Sequence, residues 1–243
     1  MEDTSRVQPH LDTLELEPEQ PATASVIWMH GLGADASDFY SVPPELRLPS
    51  ELAVRYIFPN APKIPVTVNM GMLMQAWYDV SSFDRRDQDE RRIRQSALWI
   101  DELVAREVER GVPASRIVLA GFSQGGAMAL FAGLRRPEAL AGVMCLSGYL
   151  LLAEEIEQVA TSRFGMPPIF QAHGTGDAVV SLELGCESRD VLTRAGFEVE
   201  WHEYPMGHQV CLEVIRDVGR WLTRVLASTP KDGRLKPDGI REE

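Results

Sequence analysis

Two rhythms of hydrophobic and polar positions alternate along this chain. Nearly unbroken apolar runs at residues 25–30, 54–58, 117–120, 143–146 and 168–173 are separated by stretches in which apolar residues recur every three or four positions. Short continuous runs predict strands buried on both faces, and three-to-four spacing predicts amphipathic helices. Ile93, Ala97, Ile100, Val104 and Val108 mark one such helix, stopped by Gly111 and Pro113. Another follows residue 123 and ends before Pro137, and a third, capped by Ser181, carries Leu184, Val191 and Ala195. Phe197, Val199 and Trp201 alternate with polar residues, as in a half-exposed strand ended by Pro205. Cys211, Val214, Ile215, Val218, Trp221, Leu222 and Val225 then trace a final helix. Strands alternating with helices predict a mostly parallel central sheet with helices on both faces, an α/β fold whose function sits at the C-terminal ends of the strands.

No internal repeat interrupts this pattern, so residues 1–227 are expected to form a single domain. Residues 228–243, with Pro230, Gly233, Pro237 and Gly239 among charges, are expected to form a solvated tail. Of the 243 residues, 44 % are hydrophobic and 25 % charged, the balance of a globular protein. A formal net charge of -12 repels phosphate backbones and argues against a nucleic-acid partner. No run approaches the ~18 apolar residues of a membrane span, so no stable membrane insertion is expected. The acidic N-terminus lacks the pattern of a signal peptide. Cys145, Cys186 and Cys211 form neither a disulfide framework nor a zinc motif, which suits a reducing, cytoplasmic setting.

The chemistry concentrates at strand ends. Gly121-Phe122-Ser123-Gln124-Gly125 follows a buried strand and opens a helix, the context of a G-x-S-x-G nucleophile elbow. A serine hydroxyl is a weak nucleophile and needs a base, a group that orients the base, and donors for the oxyanion. Asp177 follows the strand ending at His173, and His208 lies in the loop after the last strand. His10, His30, His173 and His202 fall at less suitable places: the N-terminal segment, two strand ends beside glycine, and a strand. The order Ser123, Asp177, His208 is that of α/β-hydrolases. The second oxyanion element is expected in His30-Gly31-Leu32-Gly33, which assigns the two backbone N–H donors to Leu32 and Gln124. Plain readings stand beside these: a helix-capping Ser123, a turn aspartate at Asp177 and an ordinary glycine turn at 30–33.

These residues resemble the phospholipase/carboxylesterase family of α/β-hydrolases, which includes bacterial carboxylesterases and acyl-protein thioesterases. The match is carried by His30-Gly31-Leu32-Gly33-Ala34-Asp35, Ala76-Trp77-Tyr78-Asp79, Gly121 to Gly126, His173 to Asp177 and Gly207 to Cys211. The resemblance implies hydrolysis of small acyl esters, thioesters or lysophospholipids with no cofactor and no metal. It also implies a homodimer, and an acyl pocket bordered by residues 66–77, where Trp77 is a candidate substrate contact and Met70, Met72 and Met74 a candidate adaptable wall; ordinary packing is the commoner role of methionine and tryptophan in such a run. The chain departs from the family pattern at Asn69-Met70-Gly71, Gln75, Ala178 and Ser181, positions that bear on substrate range rather than on the triad. Rival readings are a non-catalytic binding protein on the same scaffold, a cysteine hydrolase and a metallohydrolase.

Overall fold

The computed structural model describes residues 11–81, 88–161 and 165–227. The expected tail at 228–243 lies outside them.

Seven strands form the central sheet: β1 (Thr13–Leu16), β2 (Ala24–Met29), β3 (Val54–Pro59), β6 (Ile117–Phe122), β7 (Gly142–Leu146), β8 (Ile169–Gly174) and β9 (Val199–Tyr204). Their spatial order is β1-β3-β2-β6-β7-β8-β9, with β1 antiparallel to β3 and every other neighbour parallel. A separate antiparallel hairpin joins β4 (Lys63–Val66) to β5 (Met72–Gln75). The helices are α1 (Glu90–Glu109), α2 (Gln124–Arg135), α3 (Ile156–Thr161), α4 (Leu182–Arg194) and α5 (Leu212–Ala227).

Alternation along each central strand feeds two cores. Ile27, Met29, Ile117 and Leu119 face α1, α2 and Leu192 of α4. Val26, Trp28, Val118 and Ala120 face α5 and the segment around Phe39 and Leu46. With both faces covered, a strand has no place for a solvent-facing polar residue, which is why these strands read as continuous apolar runs.

The five central strands fall where the sequence places them. Two features do not. The edge strand β1 and the β4–β5 hairpin carry no such run, and Met70, Met72 and Leu73 of the hairpin are 94 %, 60 % and 69 % exposed. Val108, expected on the buried stripe of α1, is exposed; Glu107 faces inward in its place and is fully buried. Its carboxylate accepts from Ser25 Oγ at 2.7 Å, Arg55 Nη1 at 2.8 Å and Arg110 Nη1 at 2.9 Å. Arg55 and Arg110 also bind Glu17, and Arg110 binds Glu15, so one charge cluster ties β1, β2 and β3 to the end of α1. A buried charge is tolerated when every lone pair is met, and removing one partner leaves the others uncompensated.

Glu107→Ala is therefore expected to lower stability by about 3–5 kcal/mol in urea denaturation. A loss under about 1 kcal/mol would show that the cluster behaves as an ordinary surface network.

Candidate active site

Ser123 sits between β6 and α2 with φ 53° and ψ −120°, a strained conformation for a non-glycine residue. Two glycines make the turn feasible. A Cβ on Gly121 would lie 2.2 Å from the Gly125 backbone, and one on Gly125 would lie 2.4 Å from the Met29 carbonyl oxygen. Without those atoms α2 starts directly against the end of β2, beside the 30–33 loop.

Three segments converge on the hydroxyl. Ser123 Oγ lies 2.9 Å from His208 Nε2, and His208 Nδ1 lies 2.7 Å from Asp177 Oδ2. Because the carboxylate only accepts, Nδ1 carries the proton and Nε2 is left to accept from the serine. Asp177 is held in turn: its Oδ1 accepts from the Val179 and Val180 N–H groups, both at 2.9 Å. His173 Nε2 donates to the Val180 carbonyl at 2.9 Å, steadying that loop. The His208 ring packs against Phe122, centroids 4.8 Å apart. Phe122, Val180 and His173 are supports that the sequence does not single out, although His173 stands in the same motif as Asp177.

The two expected oxyanion donors flank the serine. Leu32 follows β2 and Gln124 is the first residue of α2, and neither N–H donates to a protein acceptor among the described residues. The first turn of a helix leaves such N–H groups unpaired and carries a partial positive charge. His30, 1 % exposed, shapes this loop: Nδ1 donates to the Gly31 carbonyl at 2.7 Å, while Nε2 accepts from the Ala61 N–H at 3.1 Å. That pairing requires the neutral ring. Burial holds the His30 imidazole below its ordinary value, opposed by the Gly31 bond and by Asp38 and Asp35 nearby.

A cavity of about 360 Å³ opens over Ser123 and His208, walled by Leu32, Tyr78, Val80, Tyr149 and Val180. Asp38 stands at its edge, and burial raises its carboxyl above the usual range. Residues 66–77 are not among those that line this cavity. Met70 and Met72 are exposed on the hairpin, and Trp77 is 1 % exposed and lies in the core behind the cavity. Its indole N–H donates to the His30 carbonyl at 3.0 Å, because a buried indole must find an acceptor and the strand end offers one. Cys145 is buried with its thiol pushed up to about 12, whereas Cys211 is only partly buried. Among the described residues no three His, Cys, Asp or Glu side chains converge as a metal cage, and no helix is long and apolar enough to cross a membrane.

A mostly parallel sheet with helices on both faces, a serine on a strained strand-to-helix turn, and His and Asp on the following loops define an α/β-hydrolase. Comparison with known proteins narrows the class. The family model described as Phospholipase/Carboxylesterase matches residues 15–226, and the chain belongs to that family of serine hydrolases. It is 43 % identical over 226 residues to a protein named acyl-protein thioesterase 1 from Neurospora crassa, covering 89 % of this chain and 92 % of the relative. A second acyl-protein thioesterase 1, from Emericella nidulans, is 39 % identical over 217 residues, covering 84 % and 91 %. Among solved structures, acyl-protein thioesterase 2 of Zea mays superposes with TM-score 0.76 at 27 % identity, covering 88 % of this chain and 99 % of that one.

The His30 geometry has a measurable consequence. Between its depressed folded value and the ordinary 6.5, the unfolded chain binds a proton that the folded chain does not, so His30 lowers stability as pH falls through that window. Its imidazole resonances in NMR are expected to titrate below 6.5 in the folded protein. Titration at or above that value would contradict the neutral clamp.

Proposed function

We propose that the chain hydrolyses carboxylic esters and thioesters of small acyl chains through Ser123, His208 and Asp177. The observation that carries this reading is the unbroken Ser123–His208–Asp177 relay, with contacts of 2.9 Å and 2.7 Å, opening into a mainly apolar cavity. A relay of this geometry provides nucleophile, base and orienter together.

In the first step Ser123 Oγ attacks the acyl carbonyl carbon while its proton moves to His208 Nε2. Asp177 keeps the ring in the productive tautomer and stabilises its positive charge. The carbonyl oxygen becomes negative and is met by the Leu32 and Gln124 N–H groups, in a site where preorganised donors act without solvent reorganisation. Collapse of the intermediate breaks the bond to the alcohol or thiol, which leaves with the proton from His208. Water then attacks the acyl-serine, His208 again takes and returns a proton, and the carboxylic acid departs. No step calls on a cofactor.

Within this reading, acylated proteins carrying a thioester are the favoured substrates, because relatives at 43 % and 39 % identity are named acyl-protein thioesterases. A cytoplasmic setting and a homodimer belong to the same proposal.

The test compares p-nitrophenyl esters of increasing acyl length with a long-chain acyl thioester. Ser123→Ala is expected to lower turnover by roughly 10⁶-fold, and Asp177→Asn by roughly 10⁴-fold, the latter through the wrong histidine tautomer. Absence of turnover by the wild type on every ester and thioester would favour a binding protein on this scaffold. Cys145 is expected to resist iodoacetamide in the native protein, since its thiol is buried and protonated. Rapid inactivation with label on Cys145 would overturn that.

A further inference from the structure

The proposed oxyanion donors belong to different segments, Leu32 to the loop after β2 and Gln124 to the first turn of α2. Donors of this kind are effective only if their spacing is fixed before reaction. Both segments are fastened to one four-residue stretch, Gln75 to Tyr78, which follows the β4–β5 hairpin.

On the Leu32 side, the Trp77 indole N–H donates to the His30 carbonyl at 3.0 Å, and the Gly33 N–H donates to the Gln75 carbonyl at 2.8 Å. These two bonds bracket Leu32. On the other side, the Gln124 side chain grips the same stretch twice: Oε1 accepts from the Trp77 N–H at 2.9 Å, and Nε2 donates to the Tyr78 carbonyl at 2.8 Å. The partners, one N–H and one carbonyl, allow only that orientation of the amide. Ser96 Oγ of α1 donates to the Trp77 carbonyl at 2.5 Å and anchors the stretch from behind. Trp77, Tyr78, Gln124 and Ser96 are 1 %, 2 %, 4 % and 0 % exposed, so these bonds form where water does not compete.

We propose that Trp77 and the Gln124 side chain are positioning residues that brace the two arms of the oxyanion hole against each other. Gln124 thereby acts twice: its backbone N–H meets the oxyanion and its side chain sets the distance to the other donor. The inference rests on the hydrolase reading above. It gives Trp77, which does not line the cavity, a role in rate rather than in substrate affinity.

Trp77→Phe removes the donor to His30 and retains an aromatic ring. Gln124→Met removes both grips and retains the backbone N–H. Each is expected to lower kcat by roughly 10²-fold, the scale of an ångström-size misplacement. For Trp77→Phe, whose side chain does not line the cavity, KM is expected to stay within about twofold. Affinity for an alkyl boronic acid, which places a tetrahedral oxyanion on the serine, is expected to fall in step with kcat. A rise in KM with unchanged kcat, or unchanged values of both, overturns the brace. Should Trp77→Phe fail to fold, Gln124→Met carries the test. Amide hydrogen exchange separates this inference from the hydrolase reading, because it needs no turnover. Even if the wild type cleaves no ester, the Trp77 and Gly33 amides, which are hydrogen-bonded within the brace, are expected to exchange faster in Gln124→Met, and unchanged exchange would overturn the proposal.

Discussion

The close approach of α2 to β2 is the constraint on which the site depends. It exists because Gly121 and Gly125 have no Cβ: either added atom would lie within about 2.4 Å of backbone. This contact lets the chain turn sharply at Ser123 with φ 53°, raises the hydroxyl out of the sheet, and sets the first N–H groups of α2 beside the loop that carries Leu32. Strain of order 1–3 kcal/mol at such a residue persists only where the surroundings over-determine it. Here the Ser123 N–H donates to the Leu146 carbonyl at 2.8 Å on one side and α2 packs on the other.

Around this turn the polar groups are fixed in their protonation and orientation by their partners. Asp177 accepts two backbone N–H groups on one oxygen and His208 on the other, so the imidazole is aimed and its tautomer set. His30 is neutral because its two nitrogens face a carbonyl and an N–H respectively. The Gln124 amide has only one orientation compatible with Trp77 and Tyr78. The site is thus assembled before substrate arrives, which is the condition under which electrostatic stabilisation of a transition state is most effective. At the opposite end of the sheet, the cluster centred on Glu107 performs a stabilising task with charges that the catalytic end does not use.

The central sheet was legible because burial on both faces forces continuous apolar runs, and the three candidate site residues were legible because each follows a strand. Ser123, Asp177 and His208 could be named from placement alone, and the structure brings their side chains within hydrogen-bonding reach. What was not legible depends on contacts between segments far apart in the chain. The family resemblance put Trp77 beside the acyl pocket, yet its indole N–H donates to a carbonyl 47 residues away. Val108 fitted the helical stripe, but the inward position went to Glu107, whose partners Ser25 and Arg55 no local pattern reveals. The β4–β5 hairpin, with its exposed Met70, Met72 and Leu73, has the composition of a buried segment and the placement of a surface one.

The central claim is that Ser123 carries the acyl group during turnover. Rapid acid quench of the enzyme mixed with an activated acyl ester, followed by mass spectrometry of the digested protein, tests it directly. One acyl group per chain on the peptide containing Ser123, formed in a burst ahead of steady-state turnover, is the predicted result. An acyl group on any other residue, or turnover with no covalent species, would contradict it.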